Sequence, residues 1–106
     1  MSNHFSVKPY TRDLDTVYRV SLSSAAFSYL LRVPDHFRSD FLRCCVFAEM
    51  RNPSFPGINV ISDSHYKFSV RFPSYVLDYM EFLQREFSCS RSSFVSYCVE
   101  KWGATL

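Results

Sequence analysis

The feature that most constrains the fold is a short alternating segment at residues 66–72. Its sequence, YKFSVRF, alternates polar with apolar side chains, the polar ones being Lys67, Ser69 and Arg71 and the apolar ones Phe68, Val70 and Phe72. Because successive side chains of a β-strand point to opposite faces, the alternation predicts a strand with one face against a core and one basic, hydroxyl-bearing face outside. Pro73 ends the strand, because proline has no N–H to give to a ladder but is accepted in the first turn of a helix.

Two amphipathic helices are predicted after this strand. Ser74 is the expected N-cap of the first, whose apolar side chains recur at helical spacing as Val76, Met80, Leu83 and Phe87. A hydroxyl-rich turn at residues 88–93 leads to the second helix, with Ser90 as the expected N-cap and Gly103 at its end. The apolar set of that second helix is Phe94, Val95, Cys98, Val99 and Trp102.

The first half of the chain repeats this order less clearly. Residues 17–22 alternate Val17, Arg19 and Ser21 with Tyr18, Val20 and Leu22. Ser23 or Ser24 is expected to cap a helix that contains Ala26, Phe27, Leu30 and Leu31, which Pro34 interrupts. A second helix, with Asp35 as its N-cap, is expected to carry the apolar residues Phe37, Phe41, Cys44, Cys45 and Ala48. The recurrence of strand, helix and helix indicates an internal duplication at the level of pattern.

The chain accordingly divides into four segments: an N-terminal arm at residues 1–15, a degenerate unit at 16–51, a linker at 52–64 and a clearer unit at 65–106. At 106 residues, a single small core would be only marginally stable, so association is expected. The arm contains Lys8 and Arg12, which leaves open whether it contacts phosphates or simply frays.

Composition excludes several classes of function. The net charge of +2 is too small to indicate nucleic-acid binding by itself, so such a function depends on where the charges lie. No apolar run approaches the roughly 20 residues of a membrane span, and a soluble, cytoplasmic protein with no membrane partner is expected. The four cysteines include no C-x-x-C and lie far from the three histidines, so neither a metal nor another cofactor is expected. Buried thiols in a reducing compartment are the simpler interpretation.

No enzyme is expected from this sequence. Asp35 and His36 resemble a catalytic pair, but adjacent residues on a helix point about 100 degrees apart and no nucleophile accompanies them. The aromatic content of 18% leaves two interpretations open, base stacking on single strands and core packing. Core packing is favoured because most of the rings fall on the apolar stripes.

The segment from Lys67 to Trp102 resembles the ribbon-helix-helix family of Arc, MetJ and CopG-type repressors, and is closest to Arc. The likeness is carried by Arg71-Phe72-Pro73, Val76-Leu77-Asp78 and the Ser90 cap. It implies a mainly α fold with a short antiparallel β-ribbon, in which two strands from two units pair and enter a DNA groove. Tandem units of this kind also occur in relaxosome accessory proteins resembling TraY. The two strands pair either within one chain, as a single-chain pseudo-dimer, or between the chains of a homodimer, and higher oligomers on DNA are a further option.

The resemblance also implies which residues contact DNA. The residues expected to contact bases from the ribbon are Lys67, Ser69, Arg71, Arg19 and Ser21. The residues expected to contact a phosphate at the start of the last helix are Ser90, Arg91 and Ser92. The expected function is sequence-specific binding of double-stranded DNA, as a small transcriptional repressor of phage or plasmid type. The alternative is a module of the same fold that binds a protein, as an antitoxin-like factor or an inhibitor of a host factor, which the low net charge and the apolar Val17 favour.

Overall fold

The computed structural model describes residues 17–57 and 66–105. Their elements follow one another as β1 (Val17–Leu22), α1 (Ser24–Leu31), a 3₁₀ turn (Asp35–Phe37), α2 (Arg38–Arg51), β2 (Tyr66–Arg71), α3 (Ser74–Phe87) and α4 (Arg91–Trp102). The described part of the chain is therefore mainly helical with one two-stranded sheet, as the sequence predicts. The predicted arm at residues 1–15 and residues 58–64 of the predicted linker lie outside the described residues.

The two strands pair with each other inside the one chain. They run antiparallel, with Val17 opposite Arg71, Arg19 opposite Ser69 and Leu22 opposite Tyr66. The inner positions Val20 and Val70 are no more than 2% exposed, so one face of this ribbon covers the core. The predicted alternation of both strands is confirmed.

The core lies between the ribbon and the helices. Helices α2 and α4 pack on each other, α4 also contacts α1 and β1, and α2 contacts β2. Helix α4 contributes the buried residues Phe94, Val95, Cys98 and Val99, and Trp102 packs against them while partly buried. This stripe is the one that the sequence predicts.

The buried face of helix α2 agrees only in part with the predicted one: Cys45 and Ala48 are buried as expected, and Phe41 packs partly buried against the core. Phe37 is 51% exposed and Cys44 is exposed, so their assignment to the apolar stripe is wrong. The buried residues of α2 are Leu42, Arg43, Cys45, Val46, Ala48 and Glu49. The inner face was hard to predict because it contains two charged side chains, and buried charges are rare unless they are paired.

Two of the predicted N-caps are confirmed. The Ser23 Oγ accepts from the Ala26 N–H at 3.1 Å, and the Ser90 Oγ accepts from the Ser93 N–H at 3.0 Å. Ser74 is not a cap, because α3 begins at Ser74 itself and Pro73 holds the extended cap conformation. Asp35 is not a cap of α2 either, since it lies in the 3₁₀ turn and its carboxylate pairs with Arg38 at 3.1 Å.

The segment that joins the two halves is fastened to the core where it is described. The backbone N–H of Phe55 donates to the Glu49 Oε2 at 2.6 Å, and the Phe55 ring meets the Phe94 ring edge-on at 5.4 Å. Gly57, with φ of 75°, lies so close to the Phe87 ring that a Cβ there would meet its Cγ at 2.7 Å. Phe87 packs on this side but remains 49% exposed, so its assignment to the buried stripe of α3 is wrong.

Candidate nucleic-acid interface

The outer face of the ribbon brings six side chains together on one surface. These residues, named here the outer ribbon face, are Val17, Arg19, Ser21, Lys67, Ser69 and Arg71. They form three cross-strand rows, Val17 with Arg71, Arg19 with Ser69, and Ser21 with Lys67. Each row contains one basic side chain and none contains an acidic one, so the surface is positive although the net charge of the whole chain is only +2.

The inner side of the ribbon explains why these side chains project outward. Val70 and Phe72 are buried at 2% and 0% exposure, which requires the alternating residues of β2 to face away from the core. The Tyr66 ring stacks on the Phe27 ring at 4.8 Å and fixes the end of β2 that faces Leu22. All five residues predicted to contact bases therefore share one face, with Arg19, Lys67, Ser69 and Arg71 exposed and Ser21 partly exposed.

One row carries a hydrogen bond between its members. The Lys67 Nζ donates to the Ser21 Oγ at 3.0 Å across the strands. This contact holds the ammonium group above the strand pair, and an exposed bond of this kind exchanges readily for a bond to a ligand. A cation and a hydroxyl therefore lie together at this end of the ribbon.

Helix α4 closes the open edge of β1 through a stripe of polar residues. The Ser92 Oγ accepts from the Ser21 N–H at 3.0 Å, and the Ser96 Oγ accepts from the Ser23 N–H at 3.1 Å. The Ser23 hydroxyl in turn donates to Glu100. Ser92, Ser96 and Glu100 recur every fourth residue on one helix face, a spacing that offered a signal in the sequence. Unpaired strand N–H groups are satisfied in this way, and the ribbon is fixed relative to the start of α4.

The edge of β2 is closed by different chemistry. The Arg43 Nη1 donates to the Arg71 carbonyl oxygen at 2.9 Å, and its Nη2 pairs with Asp40. A cavity of about 340 Å³ lies beside this contact, lined by Val17, Ser39, Arg43, Ser69, Val70 and Arg71. Sequence reasoning missed Arg43, because its partner carbonyl lies far away along the chain.

The three residues predicted to contact phosphate lie at the start of α4. Arg91 is exposed, and its guanidinium carbon lies 5.1 Å from the centre of the Tyr18 ring. Ser90 caps the helix, and Ser92 ties it to β1. The first turn of α4 contains no acidic residue, so the positive end of the helix dipole is not neutralised there. The start of α2 differs, because Asp40 lies in its first turn.

The described ranges contain neither a cluster of metal ligands nor a helix suited to a membrane. Across residues 17–57 and 66–105, no three His, Cys, Asp or Glu side chains cluster as metal ligands. Nor does any helix within those ranges have the length and apolar character that a membrane crossing requires.

Comparison with known proteins adds no further constraint. Protein-family models, curated proteins and solved structures each gave no match to this chain.

Proposed function

We propose that this chain is a sequence-specific double-stranded DNA-binding protein in which two ribbon-helix-helix units pair as a single-chain pseudo-dimer. The observation that carries the proposal is the outer ribbon face, where every cross-strand row presents one basic side chain beside a small residue. The class of function would be a small transcriptional repressor of phage or plasmid type.

The dimensions of the ribbon suit the major groove. Two strands lie about 4.8 Å apart, and the groove of B-DNA, about 12 Å wide, admits a two-stranded ribbon with its side chains. Arginine at positions 19 and 71 can donate two hydrogen bonds to guanine O6 and N7, and Lys67 can donate to the same atoms. Ser21 and Ser69 can donate hydrogen bonds to several bases or accept them, so they contribute less to sequence specificity than the arginines do.

The start of α4 supplies the backbone contact in this proposal. Free N–H groups at a helix N-terminus, together with Ser90 and Arg91, can bind a DNA phosphate. Ser92 holds Ser21 of the ribbon, so a phosphate bound at this helix end would set the position of the ribbon in the groove. Phosphate contacts orient the protein, and the ribbon reads the sequence.

The proposed site on DNA is asymmetric. When the strands are aligned on Val20 and Val70, Val17 corresponds to Lys67 and Ser21 corresponds to Arg71. The two halves of the outer ribbon face therefore present different side chains. One chain would bind one asymmetric sequence, whereas a homodimer with a symmetric ribbon would bind a palindrome.

Selection of bound sequences from a random duplex pool tests the proposal, together with a mass measurement of the complex. An asymmetric motif bound by one chain is the expected result. Arg71→Ala should weaken binding by about 1 to 3 kcal/mol and relax specificity at one base pair. Arg85→Ala is the matched control, because Arg85 lies on α3 with its side chain 63% exposed. Equal affinity and equal sequence preference in the two variants would contradict base reading by the ribbon.

A second candidate function is binding of a protein partner by the same fold. The observation that favours it is an exposed aromatic surface on α3, where Tyr75 is 46% and Phe82 is 44% exposed. Salt dependence separates the two candidates. DNA binding through several phosphates falls steeply with added salt, whereas an apolar protein interface changes little. Salt-insensitive binding to a protein, with no retention of DNA, would favour the second candidate.

A further inference from the structure

Val17 is the odd member of the outer ribbon face. It is a branched apolar side chain, 53% exposed, on a surface where the other five residues are basic or carry a hydroxyl. The position aligned with it on the other strand is Lys67. Val17 offers a ligand at this face only an apolar contact, because its side chain has neither a charge nor a hydrogen-bonding group.

The Val17 side chain is accessible from outside the protein, because about half of its surface is exposed. Val17 and its cross-strand neighbour Arg71 both line the cavity of about 340 Å³ at the α2 end of the ribbon. Side chains directly opposite each other in an antiparallel pair have Cβ atoms about 5 Å apart. That separation is less than two base-pair rises of about 3.4 Å, so the two side chains can reach the same or adjacent base pairs.

The major groove offers one apolar group, the C5-methyl of thymine. We infer that Val17 contacts a thymine methyl beside the guanine read by Arg71, and so determines specificity at that base pair. The inference rests on the proposed function, because it specifies what one row of the ribbon reads. Arg71 would recognise the guanine by hydrogen bonds, and Val17 would recognise the neighbouring thymine by an apolar contact.

The test uses the duplex selected by the full-length protein, with each thymidine replaced singly by deoxyuridine. This change removes one methyl group and leaves the base-pairing atoms in place. One of these substitutions, at or next to the base pair that Arg71 contacts, should weaken binding of the wild-type protein about fourfold. This is the loss expected when one methyl group is no longer buried. Val17→Ala should bind the thymine and uracil duplexes equally. Leu31→Ala is the matched control, because Leu31 is an exposed apolar residue outside the ribbon and should keep the wild-type preference.

The outcomes separate this inference from the proposed function. If the protein binds a defined site and Arg71→Ala weakens that binding, but no uracil substitution matters, the role of Val17 is overturned and DNA reading stands. A uracil effect that survives in Val17→Ala also overturns it, because another residue must then contact the methyl group. Loss of discrimination in Val17→Ala alone supports the inference. Absence of any specific duplex binding overturns both.

Discussion

Replacement of Glu49 by glutamine tests how much the hydrogen bonds of a buried carboxylate contribute to the stability of this small core. Glu49 has no exposed surface, and its two carboxylate oxygens accept all the hydrogen bonds described for it. Oε2 accepts from the backbone N–H groups of Ser54 and Phe55, and Oε1 accepts at 2.9 Å from both the Ser54 hydroxyl and the Trp102 Nε1. The residue thus joins α2 to the following segment and to α4.

The expected loss follows from these contacts. In Glu49→Gln one carboxylate oxygen becomes an NH₂ group, which cannot accept from the Trp102 N–H or from the backbone N–H pair. The best orientation places NH₂ towards Ser54, whose hydroxyl can accept, and leaves the Trp102 N–H without a partner. An unpaired buried donor costs about 1 to 3 kcal/mol, and the two remaining backbone bonds lose their charge-assisted character. A neutral amide is easier to bury, so the net loss should be about 2 kcal/mol.

Urea unfolding near neutral pH measures this loss, followed by far-UV circular dichroism and by fluorescence of Trp102, the single tryptophan of the chain. Glu81→Gln is the matched control, because Glu81 lies on α3 with its side chain 61% exposed and should change stability by less than about 0.5 kcal/mol. If Glu49→Gln costs no more than this control, the hydrogen bonds of Glu49 do not contribute about 2 kcal/mol to the stability of the fold.

Three further outcomes are expected. Because β1 and β2 pair within one chain, the urea midpoint should not change when the protein is diluted a hundredfold. If folding required a dimer, the same dilution would lower the apparent free energy of unfolding by about 2.8 kcal/mol. Ser88→Gly should raise the free energy of unfolding by about 0.5 to 1 kcal/mol, because Ser88 has a left-handed φ of 56°; Ser88→Ala should give no such gain. Burial raises the pKa of Cys45 from 9.0 to about 12, so the folded state keeps a proton that the unfolded state loses. Stability should therefore be intact below pH 9.0 and fall between 9.0 and about 12, with a smaller slope in Cys45→Ala.

The parts of the fold that could be predicted from sequence are those that show a local periodicity of apolar side chains. The alternation in β2 and the stripe of α4 depend on side chains a few residues apart, and both are present in the structure. The inner face of α2 could be found only in part in this way, because the buried Arg43 and Glu49 also need partners distant in sequence, the Arg71 carbonyl and Trp102. A charged residue at a core position is recognisable only when its partner is known.

The candidate site shows the same limit. Periodicity was sufficient to place Lys67, Ser69 and Arg71 on one outer surface. It could not give the register that sets Arg19 opposite Ser69, because register depends on how the two strands pack on the shared core. Nor could it decide between pairing within a chain and pairing between chains, since both satisfy the same alternation. What the outer ribbon face binds remains a prediction.

The two ends of the ribbon differ in a way that has a consequence for the proposed DNA complex. At the end containing Ser21 and Lys67, Ser92 links the strand to a helix start that has Arg91 and no acidic residue in its first turn. At the end containing Arg71, the nearby helix start contains Asp40, whose side chain is 67% exposed and pairs with Arg43. A phosphate is attracted to the first helix start more than to the second, where the Asp40 carboxylate already offsets part of the positive helix end. The protein would therefore hold the DNA backbone at one flank, and recognition at the other flank would depend on base contacts. Base contacts would set the orientation on the DNA, because the backbone is alike at both flanks and reversal presents each helix start to an equivalent phosphate.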